Sequence, residues 1–417
     1  MSKRVLIVGS GVVGLCTAYY AARRGFKVTV LERKSALRDG CSFGNAGMIV
    51  PSHFVPMAAP GMVALGLKWM WNPASPFYIK PRLDKDLFSW GLKFWRAATP
   101  RHVERSAPLL RDLSFASREC FEELATLPTA NFGLVKRGLL MLCKTQHGLD
   151  DEARFAARAN ALGVPAQVLD AKETAALDSG ARMDIAGSVL FAKDCHLVPD
   201  RFLATLEAQC RSLGVEFVFD APVTGWKLDR RRLDAVCTAL GKHEADEFVL
   251  CGGIWSEGLA RELGLRLPMQ AGKGYSLTLT KPRQLPQLCS ILSEARCAVT
   301  PMDGALRVGG TMELAGLNDD INPVRVRGII ESFCRYFPEF TAADFDGIQP
   351  WRGLRPCSPD GLPYLGRTRR CENLAIATGH AMMGLSLGPI TGKLVADILS
   401  GEKPAWDLSL LAPDRYG

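Results

Sequence analysis

At 417 residues, 47% apolar and 23% charged, the chain has the composition of a globular protein with a large core, which excludes a disordered or fibrous one. Its formal charge of +8 comes without any basic run interleaved with aromatics, so no nucleic-acid partner is expected. The 13 cysteines form no C-x-x-C pair, and Cys16, Cys210 and Cys251 fall inside apolar periodic segments. That usage, with no presequence ahead of the first predicted strand, predicts buried reduced thiols, no metal site and a cytoplasmic location.

Val5 to Val8 predict a strand buried on both faces, and Gly9, Gly11 and Gly14 follow at G-x-G-x-x-G spacing. Gly9 suits a tight strand-to-helix turn, Gly11 a close backbone approach to a pyrophosphate, and Gly14 a helix lying close on its sheet. A second apolar strand, Val28 to Leu31, ends at Glu32, whose carboxylate can accept both hydroxyls of an adenosine ribose. Strand, glycines, helix, strand and acid in this order predict a βαβ dinucleotide-binding unit.

Further along, the small-residue run from Cys41 to His53 suits backbone lying against a ligand. Residues 56 to 104 hold Trp69, Trp71, Trp90 and Trp95 among Lys68, Lys80, Arg82, Lys85, Lys93 and Arg96. Apolar spacing predicts a helix over 108–127, and GLLMLC (Gly138 to Cys143) a strand. Asp200 is placed to cap a helix ended by Gly214, and a strand follows over 215–219. Glu247 to Leu250 predict another buried strand, meeting the glycine turn CGGIWS (Cys251 to Ser256). A β-rich stretch over 274–312 leads to a helix over 325–337. Leu374 to Gly392 carries no Asp, Glu, Lys or Arg, but its four glycines and Pro389 predict a buried loop and core helix, not a membrane span.

Two C-terminal segments, WRGLRPCSPDGLPYLG (Trp351 to Gly366) and ATGHAMMGLSLGPITGKLVADIL (Ala377 to Leu399), complete a signature set with GSGVVG, CSFGNAGMI and AGKGYSLTL. In these motifs the chain resembles the FAD-dependent D-amino acid oxidase superfamily, and within it bacterial D-amino acid dehydrogenases. The resemblance implies an α/β fold: a discontinuous Rossmann-like FAD-binding domain (1–60, 145–265 and 345–417) and an α+β substrate domain on a mixed sheet (61–144 and 266–344). It implies noncovalent FAD. Gly9, Gly11, Gly14, Glu32 and Arg33 would serve the ADP half, and Val223 a backbone contact with adenine. Ser42, Asn45, Ala46, Gly47 and Met48 match the segment along the isoalloxazine. Gly379, His380, Gly384, Leu385 and Ser386 match the loop whose amides surround the flavin pyrimidine end.

The arginine of the GLRP motif, Arg355, would bind the substrate carboxylate through two parallel hydrogen bonds, with Tyr275 close to flavin and substrate. Arg352 reads as a surface or supporting charge, and His53 and His196 lie in segments that could border the site. The implied activity is oxidative deamination of D-amino acids, with electrons passed to a respiratory quinone or other acceptor. The Trp- and Lys/Arg-rich stretch from Trp69 to Arg96 would then offer either a peripheral contact with the inner membrane or a substrate-domain surface with buried tryptophans. Open alternatives are a dehydrogenase of D-proline or cis-4-hydroxy-D-proline, an oxidase acting on glycine or sarcosine, and a flavin-binding sensor without turnover.

Overall fold

The protein is described from a computed structural model covering residues 2–37, 39–70 and 75–417, so Trp71 lies outside the described residues. The apolar strand Arg4–Val8 pairs in parallel with Lys27–Leu31 on one side and Glu247–Leu250 on the other. With Glu216–Val218, Leu374–Thr378 and an antiparallel edge, Tyr364–Arg367, these make a six-stranded sheet. Parallel strands covered on both faces read as unbroken apolar runs, which is why this sheet was legible as such.

The glycine-turn helix, Val12–Arg23, is buried along nearly its whole length between the helices Gly388–Ser400 and Pro199–Ser212. Two glycines permit that contact: a Cβ on Gly388 would sit 2.9 Å from Val12 Cγ2, and one on Gly392 would strike the Cys16 backbone. The charge-free 374–392 segment is accordingly a core strand, a short 3-10 turn and the start of this buried helix. Among the described residues no helix is long and apolar enough to cross a membrane.

A nine-stranded mixed sheet forms the second layer, in the order Trp351–Cys357, Gln270–Leu279, Ala305–Leu314, Cys297–Met302, Cys289–Leu292, Leu139–Cys143, Gly187–Phe191 and Ala166–Asp170, with Phe77–Ile79 paired to Ala305–Leu314. Here the expected boundaries shift. Residues 166–170, 187–191 and 351–357, expected in the nucleotide-binding domain, hydrogen-bond into the second sheet instead. Strand pairing, invisible in local pattern, decides that membership.

Local signals were also moved by better ones nearby. The helix at Asp200 begins at Pro199 with Val198 in the cap position, so Asp200 occupies the first turn and caps nothing. Proline needs no N–H at that position, and an acid in the first turn still favours the helix dipole. The helix expected from Pro108 spans Pro100–Ala125, because Thr99 Oγ1 accepts from His102 N at 3.3 Å and caps it about two turns earlier.

Gly392→Ala is expected to cost about 1–3 kcal/mol through backbone overlap between the two helices. Denaturant titration of the purified protein checks this. An unchanged midpoint would contradict the close helix contact.

Candidate functional site

The parallel strands end along one edge, where the chain turns at Gly9 and at Cys251. A cavity of about 440 Å³ follows that edge from Glu32 to Arg355 and the 378–385 loop. This is the crevice beyond the carboxyl ends of the strands, where open α/β sheets bind ligands.

Gly9 has φ +103°, and a Cβ there would lie 2.6 Å from the Cys251 carbonyl oxygen. Gly11 is the extended N-cap of the helix, and a Cβ on Gly14 would collide with the Gly9 carbonyl. Val12 N donates to Ser42 Oγ at 3.1 Å, tying the helix start to the small-residue loop. Glu32 is held by three donors: Ser10 N at 2.9 Å, Ser10 Oγ at 2.7 Å and Lys34 N at 3.0 Å. Its buried carboxylate therefore stands fixed on the cavity wall. Arg33 lies 3.9 Å over the ring of Trp255, and both side chains line the same end as Val223.

Of the 42–48 segment, Ser42, Phe43 and Asn45 line the cavity, whereas Ala46, Gly47 and Met48 face the neighbouring strands. The Ala46 carbonyl accepts from Thr300 Oγ1 at 2.7 Å, the Gly47 carbonyl accepts from Leu197 N at 2.8 Å, and Met48 pairs with His196. In the C-terminal loop His380, Gly384 and Leu385 line the cavity. Gly379 instead faces the Tyr364 ring, and Ser386 Oγ accepts from Val50 N at 3.0 Å. Burial pushes the His380 imidazole down to about 4, so the ring is neutral, and it meets Thr391 Oγ1 at 3.0 Å.

Arg355 reaches the far end of the cavity. Its Nη1 donates to the Thr311 carbonyl at 2.9 Å, and among the described residues it has no carboxylate partner. Tyr275 departs from expectation. Residues 272, 274 and 276 face the Arg355 side of the sheet, so strand alternation sends Tyr275 to the opposite face. There it is buried, donating to Glu313 Oε2 at 2.7 Å and accepting from Asn322 N at 3.2 Å. Its hydroxyl anchors the loop before the Pro323–Tyr336 helix and does not reach the cavity. Arg352 pairs with Asp39 at 2.8 Å and Asp319 at 3.2 Å, a bridge at the rim.

His53 and His196 do not line the cavity. His53 meets Ser52 Oγ at 2.9 Å, and Ser52 in turn donates to buried Asp194 from its N at 3.0 Å and its Oγ at 2.5 Å. Burial raises the Asp194 carboxyl to about 7 against the hydrogen bonds from Ser52. Cys41, the start of the small-residue run, also lines the cavity, whereas sequence reasoning missed Trp255 as a lining residue. The signal for Trp255 was present: a glycine turn leaving a strand parallel to the first must end on the same edge.

Fold and crevice together define an α/β protein built to bind a dinucleotide. The family model for FAD dependent oxidoreductases matches residues 4–398, and the chain belongs to that family. It is 33% identical to the D-amino acid dehydrogenase of Bradyrhizobium diazoefficiens over 422 aligned positions, covering 99% of each chain. A D-amino acid dehydrogenase of Granulibacter bethesdensis is 33% identical over 423 positions, again 99% of each. The glycine oxidase structure from Geobacillus kaustophilus shares the fold at TM-score 0.79 and 24% identity, covering 100% of both chains.

The cofactor is therefore FAD, and the residues fit it. Bare glycine backbone and a helix start suit the pyrophosphate, and a fixed buried acid suits the ribose.

Because folding raises the Asp194 pKa from its ordinary 3.8 to about 7, the folded state holds this proton longer, and stability falls as pH rises through that window. Asp194→Asn is expected to gain on wild type by roughly 2 kcal/mol between pH 5.5 and pH 8. Urea denaturation of both proteins at the two pH values measures the difference directly; a constant gap would contradict it.

Proposed function

We propose that the protein catalyses FAD-dependent oxidative deamination of D-amino acids, giving an imino acid that hydrolyses to a 2-oxo acid and ammonia. The observation that carries this is Arg355, a guanidinium at the cavity end with no carboxylate partner among the described residues. A planar guanidinium binds a carboxylate through two parallel N–H donors, which fixes the position and tilt of Cα. Bound FAD supplies the two-electron acceptor for the Cα hydride. Arg355 holds the carboxylate while the substrate's own free amine lone pair assists hydride loss, so orientation carries most of the rate gain. The apolar stretch Ala381 to Met383 follows His380, whose neutral ring adds no second cation there. The D configuration is supported by the relatives named D-amino acid dehydrogenase.

The electrons would leave to a respiratory quinone at a membrane surface. Support comes from the helix Lys85–Ala97, where Phe88, Leu92 and Trp95 are exposed at one-face spacing beside Lys85 and Arg96. Exposed Leu83 and Leu67 extend the same apolar character. Trp90 takes no part in that surface: it is buried, and its Nε1 donates to the Cys357 carbonyl at 2.9 Å, bracing the strand that carries Arg355.

Arg355→Ala is expected to lower kcat/KM by about 100-fold or more, mainly through KM. Steady-state assays, with anaerobic flavin bleaching by paired D and L amino acids including proline, cis-4-hydroxyproline, glycine and sarcosine, test both role and substrate. Bleaching by L amino acids alone, or none at all, would overturn the proposal.

Changing Phe88 and Trp95 together to Ser should abolish co-sedimentation with anionic liposomes while leaving dye-linked activity intact. Equal sedimentation of wild type and variant would remove the membrane contact.

A further inference from the structure

We propose that two features of the nine-stranded sheet, a β-bulge at Thr311 and the bare Cα of Gly274, are positioning elements that set the orientation of Arg355. The inference rests on the carboxylate-binding role of Arg355 given above.

The strand Gln270–Leu279 lies between the Arg355 strand and Ala305–Leu314. On one side Gly272 is opposite Arg355 and Gly274 is opposite Gly353, in unbroken antiparallel register. The arginine side chain leans across to the diagonal neighbour, and its guanidinium lies on Gly274. A Cβ there would be 2.6 Å from Cζ and in collision with Nη1 and Nη2. Any side chain at 274 would displace the group, so glycine serves here as a platform.

On the other side, Lys273 pairs with Glu313 but Tyr275 pairs with Gly310. Two steps along one strand match three along the other, which is a bulge. Thr311 within it has φ +70°, a left-handed conformation that branched residues avoid. In a regular ladder carbonyls point along the sheet toward neighbouring strands. At this bulge the Thr311 carbonyl instead accepts from Arg355 Nη1 at 2.9 Å. One guanidinium nitrogen is thus tethered to main chain and the planar group is supported from below, leaving its other N–H donors for the carboxylate. Strain held at a site by surrounding structure, and a bulge that re-aims a group, are both features that cluster at functional positions.

The test is a double-mutant cycle on the FAD-loaded enzyme. Gly274→Ala should raise KM by about tenfold and weaken binding of propionate, a carboxylate without an amine, with kcat changed much less. FAD content and Tm should stay near wild type, which separates positioning from general damage. In an Arg355→Lys background the same change should add almost nothing, because the group it displaces is gone. Deleting Thr311 removes the bulge and its tethering carbonyl, so it should raise KM as Gly274→Ala does; an unchanged KM in the folded, FAD-loaded variant would overturn the role of the bulge. If Gly274→Ala leaves KM and propionate binding unchanged while Arg355→Lys raises KM, the positioning role is overturned and the carboxylate role survives. Equal effects of Gly274→Ala in both backgrounds would overturn it too. If Arg355→Lys leaves KM unchanged, the carboxylate role falls, and the positioning role falls with it.

Discussion

Close approach of bare backbone at the first strand-to-helix turn is the constraint from which the rest of the molecule follows. Gly9, Gly14 and Cys251 meet at distances that leave no space for a Cβ on either glycine. That contact brings the 12–23 helix onto the sheet edge and presents its N-terminal amides to the crevice. The same helix must then be covered, and Gly388 and Gly392 let the last long helix lie against it. A large side chain at any of these points would separate layers that the cofactor crevice needs together.

The crevice is completed by a loop that belongs to one sheet and is held by the other. Gly44, Asn45 and Ala46 offer their carbonyls to Ser276 Oγ at 3.1 Å, Arg307 Nη1 at 2.8 Å and Thr300 Oγ1 at 2.7 Å. Burial pulls the Arg307 guanidinium below its ordinary range, yet the loop carbonyls it serves are satisfied by it. The Trp351 ring covers Gly44 from the adjoining strand, leaving no room for a side chain there. The loop is therefore shaped by hydrogen bonds from strands more than 230 residues away in sequence, a non-local arrangement that holds cofactor and arginine strand in one frame.

Charge inside this frame is sparse and placed. Glu32 is ringed by donors, whereas His380 is kept neutral by burial. Arg355 is stabilised by a main-chain carbonyl, not by an acid, so its positive charge is left for an anion. Asp194 stands apart, a buried carboxyl bonded to Ser52 just beyond the loop that approaches the crevice.

Much of the nucleotide half was readable because its signals are local. Period, glycine spacing and a terminal acid lie within the first 32 residues, and each has a short-range physical meaning. Gly9, Gly11, Glu32, Arg33 and Val223 all line the cavity. Motif resemblance likewise led to Arg355. Tyr275 misled because a motif specifies neighbours along the chain, while strand parity in a particular sheet decides which face a side chain takes. Sheet membership of residues 166–170, 187–191 and 351–357, the burial of Trp90, the Trp255 wall and the Thr311 carbonyl all depend on partners far along the chain. Local sequence thus specified the nucleotide fingerprint and the arginine motif. Long-range pairing and packing, which no window of residues encodes, set which groups share the crevice and which turn away.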